Sequence, residues 1–188
     1  MVKTESLMQL KKGDAAPDFA LPGIDGRIIS LRSLSGKLGV FVLFMCNHCP
    51  YVKVRMEEVV ELHKEFGERI AFVGINSSDP EYPGEGMENM KTFAKKRLPA
   101  QAGGIAFPYL MDEDGSVARK YGATCTPDPF LFDKNAKLVF HGRLVDALEP
   151  QEEVKERTMR ENMRKLLAGK PIEPWFNPSL GCSIKFKG

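Results

Sequence analysis

The 188-residue sequence predicts an α/β fold with a mixed central sheet and helices on both faces. Three observations carry this reading. A near-continuous apolar run, Gly39 to Met45, has the length and composition of a central parallel strand buried on both faces. A helical pattern follows it, and then a second apolar strand, Ile70 to Asn76, which together make a right-handed βαβ unit. Farther on, Phe130–Phe132 and Leu138–His141 flank a polar turn and lead to a final helix, adding an antiparallel pair to the same sheet.

Taken in order, residues 1–16 read as a loose approach to the domain. The Asp25-Gly26 pair between two short apolar runs, Pro17–Pro22 and Arg27–Leu31, is a hairpin signal. Pro50 suits the first turn of a helix, where its missing N–H is not needed. Val52, Met56, Val59, Val60 and Phe66 then recur at three and four residues, and Gly67 stops the helix. Ser77 to Gly86, rich in Pro and Gly, is a loop. A short helix over Met87–Lys96, a break at Gly103-Gly104, a strand over Phe107–Met111 and a helix over Ser116–Tyr121 follow. Asp133–Lys137 is the turn of the antiparallel pair. The last helix is expected over Glu153–Leu167, with Val154, Met159, Met163, Leu166 and Leu167 on its apolar side. The chain is expected to form a single domain over 1–188, with a core of about 13–168 and an irregular C-terminal extension, 169–188, that Trp175 and Phe176 pack down.

Apolar residues at 43% and charged residues at 28% are ordinary for a soluble globular chain, so no special class is indicated. The net charge of +2 comes from interleaved acidic and basic residues and argues against a nucleic-acid partner. No basic start with an apolar run marks a secretory signal, and no uncharged apolar stretch of membrane-spanning length exists. The expected address is therefore cytoplasmic, with no membrane partner.

Four cysteines, Cys46, Cys49, Cys125 and Cys182, carry the chemistry. A reducing compartment disfavours lasting structural bridges, so the close pair asks for a redox or metal explanation. Cys46 and Cys49 lie at i and i+3 between a buried strand and a helix N-terminus, a placement that allows a disulfide without large backbone movement. Helix N-terminal amides favour a thiolate there, and His48, if protonated, adds positive charge. Cys46 is expected to attack and Cys49 to resolve. Zinc would need two more ligands; Cys125 and Cys182 could supply them as a four-cysteine site, but neither comes in a close pair, and His48 lies inside the Cys46–Cys49 pair, so the haem-attachment pattern is absent. Neither a metal nor a cofactor is expected. Pro127 follows Thr126 at the start of a buried strand. A cis bond there would suit a tight loop lying against the cysteines, with backbone groups open to an extended substrate chain. Cys125, two residues before Pro127, and Cys182 in the tail are further candidate redox thiols; the alternative is that they are inert buried small hydrophobes. His63 is expected at the core boundary, and His141 ends a strand.

With those residues in view, the chain resembles the thioredoxin-like superfamily. More closely, it resembles the peroxiredoxin-like, AhpC/TSA-related redoxin proteins with an Asn-His-Cys-Pro segment. The segments that carry the resemblance are Gly13–Phe19, Cys46-Asn47-His48-Cys49-Pro50-Tyr51-Val52, Asp112–Gly115 with Tyr121-Gly122-Ala123, Thr126–Asp133 and Gly181–Lys187. The resemblance implies a thioredoxin-like fold, a redox pair at Cys46 and Cys49, a cis-proline at Pro127 and backbone contacts from Thr126 to a bound thiol partner. Asn47 and Pro50, flanking the second half of the motif, join Thr126 as expected substrate contacts, and His48 joins the catalytic set. The departures are equally specific. Peroxiredoxins carry Pro-x-x-x-Thr-x-x-Cys, but Leu43 stands three before Cys46, and Cys46 and Val42 stand three and seven before Cys49. Thioredoxins proper carry a buried acid six before the first cysteine, where this chain has Val40.

The expected function is thiol–disulfide exchange with protein or small-molecule disulfides through Cys46 and Cys49, served by an electron donor the sequence does not name. A histidine inside the pair resembles disulfide isomerases and bacterial oxidants, a resemblance that implies a more oxidising poise; a cytoplasmic location points the other way. The alternatives are a thiol-dependent peroxidase, or a non-catalytic scaffold that binds a partner or holds a metal.

Overall fold

The computed structural model describes residues 3–98 and 106–188; the break expected at Gly103-Gly104 lies outside them. In chain order the strands are β1 (Lys3–Glu5), β2 (Ala20–Pro22), β3 (Ile28–Ser30), β4 (Gly39–Phe44), β5 (Ile70–Asn76), β6 (Tyr109–Met111), β7 (Cys125–Thr126), β8 (Asp128–Asp133), β9 (Leu138–Gly142), β10 (Phe176–Asn177) and β11 (Leu180–Ser183). The α-helices are α1 (Pro50–Phe66), α2 (Met87–Arg97), α3 (Ser116–Tyr121) and α4 (Thr158–Leu167). Among the described residues no helix is long and apolar enough to cross a membrane.

Side-chain alternation explains why the run through β4 is apolar without interruption. Phe41, Leu43 and Met45 face one core, shared with Met56 of α1, Met90 of α2 and Met159 of α4. Val40, Val42 and Phe44 face the other, shared with Phe19, with Val117 and Tyr121 of α3, and with Phe130 and Phe132 of β8. Each large side chain so buried contributes about 1.5–3 kcal/mol. The six-stranded sheet runs β10-β9-β8-β4-β5-β6. Strands β4, β5 and β6 are parallel, and β8 and β9 run antiparallel beside β4. This is the mixed sheet with helices on both faces that the sequence predicts. The hairpin forms as β2–β3, with Ala20 opposite Ser30. Its turn is braced by Asp25 Oδ1, which accepts the Arg27 N–H at 3.0 Å.

Two segments differ from expectation. The last helix begins at Thr158, not Glu153. Asp146 takes the chain before it: its Oδ1 accepts the Lys155 and Glu156 N–H groups at 3.0 and 2.9 Å, and its own N–H donates to Glu156 O. Helical bonding there would compete with that side chain. The C-terminal segment is not irregular either. β10 pairs with β9, and β11 lies between β1 and β7 in a separate three-stranded sheet. Neighbouring polar backbone joins the two chain ends: Ser6 N–H donates to Ser179 O, and Ser179 N–H to Ser6 Oγ, at 3.0 and 2.8 Å. His63, at the core boundary, meets the rings of Phe72 and Phe107. His141 is fully buried in β9, 2.8 Å from Asp128.

Candidate redox site

The site grows from the end of β4. Met45 N–H still donates to Ile75 O at 2.9 Å, so the backbone is held in the sheet's register up to the residue before Cys46. Cys49 is the N-cap of α1, in extended conformation, and Pro50 fills the first helical position. Lys53 N–H donates to Cys49 O at 3.0 Å and closes the first turn. Cys46 and Cys49 are both buried, 1% and 0% exposed, so a large partner reaches either sulfur only when a covering segment moves.

The turn between the two cysteines is held by a residue to which nothing in the sequence pointed. Glu85, buried in the loop before α2, places Oε1 where it accepts the backbone N–H groups of Asn47 and His48 at 2.9 and 3.0 Å. The same oxygen lies 2.5 Å from His48 Nδ1, and Oε2 accepts from Asn76 Nδ2 at 2.6 Å. The loop reaches this position through Gly84 and Gly86, at φ +87° and +84°, a region that favours glycine. Asn47 Nδ2 donates to Gly84 O at 3.2 Å, and Tyr109 O–H donates to Asn47 Oδ1 at 3.0 Å.

Opposite the pair lies Thr126, whose bond to Pro127 is cis. Thr126 Oγ1 is 3.1 Å from Cys46 Sγ, and Thr126 O is 3.3 Å from Cys49 Sγ. One residue therefore touches both sulfurs. In the adjacent strand Thr126 is opposite Cys182 of β11, and Cys182 Sγ lies 2.8 Å from Cys49 Sγ.

The electrostatics reverse the expected assignment of charge. Cys49 is lowered to about 5, first by its hydrogen bond with Cys46 and then, against the cost of burial, by Cys182 and the Val52 N–H of α1. Cys46 is pushed up by burial, by the same hydrogen bond with Cys49, and by the facing Glu85 carboxylate. In the reduced pair the negative charge therefore rests on Cys49, between two thiols and at the helix N-terminus, while Cys46 keeps its proton. Burial likewise raises Cys182, to about 12, and Cys125.

The candidate residues fall out as follows. Cys46, Cys49, Thr126 and Pro127 converge. His48 is adjacent, but its Nδ1 is turned onto Glu85, so it is not aimed at Cys46 as a thiolate partner. The Asn47 amide is buried and spent on Gly84 and Tyr109, so it shapes the turn where substrate contact was expected. Pro50 is exposed at the helix start. Cys182 joins the pair directly; Cys125 is buried in β7 one residue before Thr126, opposite Ser183, and strand alternation turns it away from the face Thr126 presents. The open backbone edge expected at Thr126 is taken by β11. For a metal, the donor atoms that come together among the described residues are those of Cys46, His48 and Glu85, within 4.8 Å of one another, rather than four cysteines. Glu85 Oε1 already serves three hydrogen-bond contacts there.

The profile of the AhpC/TSA family matches residues 12–141. The thiol-disulfide oxidoreductase ResA of Geobacillus thermodenitrificans is 29% identical over 147 residues, covering 77% of this chain and 74% of the relative. Among solved structures, an uncharacterized conserved protein from Geobacillus kaustophilus superimposes with a TM-score of 0.90 at 38% identity, covering 100% of this chain and 97% of that one. Peroxidoxin BcpB from Mycobacterium tuberculosis superimposes with a TM-score of 0.58 at 25% identity, covering 85% and 96%.

Proposed function

The chain belongs to the AhpC/TSA family and is a thiol–disulfide oxidoreductase; we propose that it exchanges disulfides with protein substrates through Cys46 and Cys49. The observation that carries the residue assignment is the convergence of both sulfurs on Thr126, at 3.1 and 3.3 Å, at the N-terminus of α1.

The shared proton sets the order of steps. Cys46 Sγ attacks one sulfur of the substrate disulfide as its proton passes to the Cys49 thiolate. The substrate S–S bond breaks, a Cys46–substrate bond forms, and the departing substrate thiolate takes the proton from Cys49. Cys49, again a thiolate, then attacks Cys46 Sγ and releases the second substrate thiolate, which takes a proton from solvent. The substrate gains two electrons and the Cys46–Cys49 disulfide remains. A dithiol donor restores the pair by the same exchange in reverse. Thr126 Oγ1 holds Cys46 in place, and Glu85 keeps the Asn47–His48 turn from unwinding as the helix end changes charge.

Reduction of insulin disulfides by dithiothreitol, with and without the protein, measures this. Both Cys46→Ser and Cys49→Ser are expected to fall to the uncatalysed rate. Cys49→Ser is expected to trap substrates as mixed disulfides on Cys46, and Cys46→Ser is not. Equal trapping by the two variants would sink the assigned order. Peroxidoxin BcpB is similar in fold to this chain at 25% identity, and the hydroxyl of Thr126 beside Cys46 favours testing peroxide reduction as a second reading. Consumption of hydrogen peroxide at the expense of the same dithiol, with insulin left intact, would favour it.

A further inference from the structure

The C-terminal strand places a third thiol inside the site. β11 pairs antiparallel with β7 in the register Cys182 opposite Thr126 and Ser183 opposite Cys125. That is the edge where an extended substrate would add a strand. β1 holds β11 from its other side, with Lys3 opposite Cys182. Gly181 makes the approach possible: a Cβ there would lie 2.0 Å from Thr126 O. The result is a 1%-exposed cysteine whose sulfur is 2.8 Å from Cys49 Sγ. Thr126 and Cys182, cross-strand partners, therefore both meet the redox pair: Thr126 at both sulfurs and Cys182 at Cys49.

We propose that Cys182 is a third redox thiol of this site, held on the substrate edge by β11, and that it takes Cys49 over from the Cys46–Cys49 disulfide. The inference rests on the exchange chemistry assigned above to that pair. The Cys182 thiol loses its proton to solvent and its sulfur attacks Cys49 Sγ. A Cys49–Cys182 bond forms, the Cys46–Cys49 bond breaks, and Cys46 leaves as a thiolate that takes a proton. The step is neutral in electrons; the oxidising equivalents come from the substrate disulfide that first oxidised the pair. Its product keeps Cys46 reduced and locks β11 covalently against α1. The oxidised chain is thus a mixture of two isomers, one of which presents Cys46 as a free nucleophile.

Disulfide mapping of the full chain tests this. The reduced protein is oxidised with one equivalent of diamide and quenched in acid. Thiols are blocked with maleimide under denaturing conditions, and the linked peptides are identified by mass spectrometry. The wild type is expected to yield both Cys46–Cys49 and Cys49–Cys182 linkages. Cys46→Ser is expected to convert to the Cys49–Cys182 form, with Cys49 and Cys182 lost to maleimide and Cys125 still labelled. A wild type that forms Cys46–Cys49 but never Cys49–Cys182, with Cys49 and Cys182 of C46S both still labelled, overturns the inference and leaves the two-cysteine reading intact. A wild type that forms neither linkage and does not reduce insulin overturns both. The wild-type map needs no variant, so the result does not depend on how C46S folds.

Discussion

Glu85 grips His48 twice with one oxygen: Oε1 accepts the His48 backbone N–H at 3.0 Å and lies 2.5 Å from the ring Nδ1. With the Asn47 N–H on the same atom, a side chain 36 residues beyond Cys49 in sequence fixes the turn that separates the two sulfurs. Glu85→Ala leaves these buried donors without a partner, at about 1–3 kcal/mol for each group that water does not reach. The expected outcome is a fall in the urea midpoint at unchanged m-value. Glu85→Gln keeps the shape and removes the charge facing Cys46, so the pH at which Cys46 is alkylated by iodoacetamide is expected to fall. An unchanged alkylation profile in E85Q would show that the carboxylate does not act on Cys46.

The Cys49 thiol titrates at about 5 in the folded, reduced protein, against about 8.5 for a free cysteine. A depressed folded-state value stabilises the fold above the unfolded value, and that stability is lost as pH falls through the folded one. Reduced protein is therefore expected to gain stability between about pH 5 and 8.5. Above that window, burial of Cys46, Cys125 and Cys182 as protonated thiols opposes the gain. Urea melts of reduced wild type and reduced Cys49→Ser check this: the rise across the window is expected in the first and absent in the second. The same charge affects the couple. Reduction takes up one proton inside the window and two below it, so the potential is expected to change by about 30 mV per pH unit inside it and about 59 mV below. A stabilised reduced form is also expected to raise the potential, since a low-pKa thiol leaves more readily. Equilibration with glutathione at several pH values reads both.

Gly181→Ala puts a methyl where Thr126 O lies 2.0 Å away, and a backbone atom does not yield as a flexible side-chain end does. β11 must shift off β7. Overpacking of this kind costs about 1–3 kcal/mol, and the shift also uncovers the pair. The variant is expected to melt earlier and to react faster than wild type with maleimide at Cys46 under native conditions. Unaltered labelling would mean that β11 does not cover the site.

Asp128 follows Pro127 directly and meets His141 at 2.8 Å, both groups fully buried, and burial raises the Asp128 carboxyl. Asp128→Ala strands the imidazole inside the sheet. A loss of about 1–3 kcal/mol is expected, measured by chemical denaturation. Insulin reduction is expected to weaken as well, because β8 anchors the Thr126–Pro127 loop.

Much was legible in the residues alone. The uninterrupted run from Gly39 to Met45 could be satisfied only by a strand with cores on both sides, and Pro50 after Cys49 marked where a helix begins. Local chemistry decided those elements, so the redox pair at a strand–helix junction could be read before any contact was known. Three features could not. Glu85 sits in a Pro- and Gly-rich loop with no periodicity, and its role exists only because that loop folds back over the helix start. The location of the thiolate depends on which groups face each sulfur, and Cys46 faces a carboxylate that sequence distance hides. The C-terminal segment, short and without a repeating pattern, becomes β11 because β1 and β7, about 120 residues apart along the chain, both pair with it, and Gly181 lets it approach Thr126 closely. The sequence by itself determined the architecture and the Cys46–Cys49 pair, since both follow from neighbours along the chain. Only the tertiary structure decided how the pair's charge is placed and that Cys182 stands beside Cys49, since Glu85 and Cys182 reach the two sulfurs from 39 and 133 positions away along the chain.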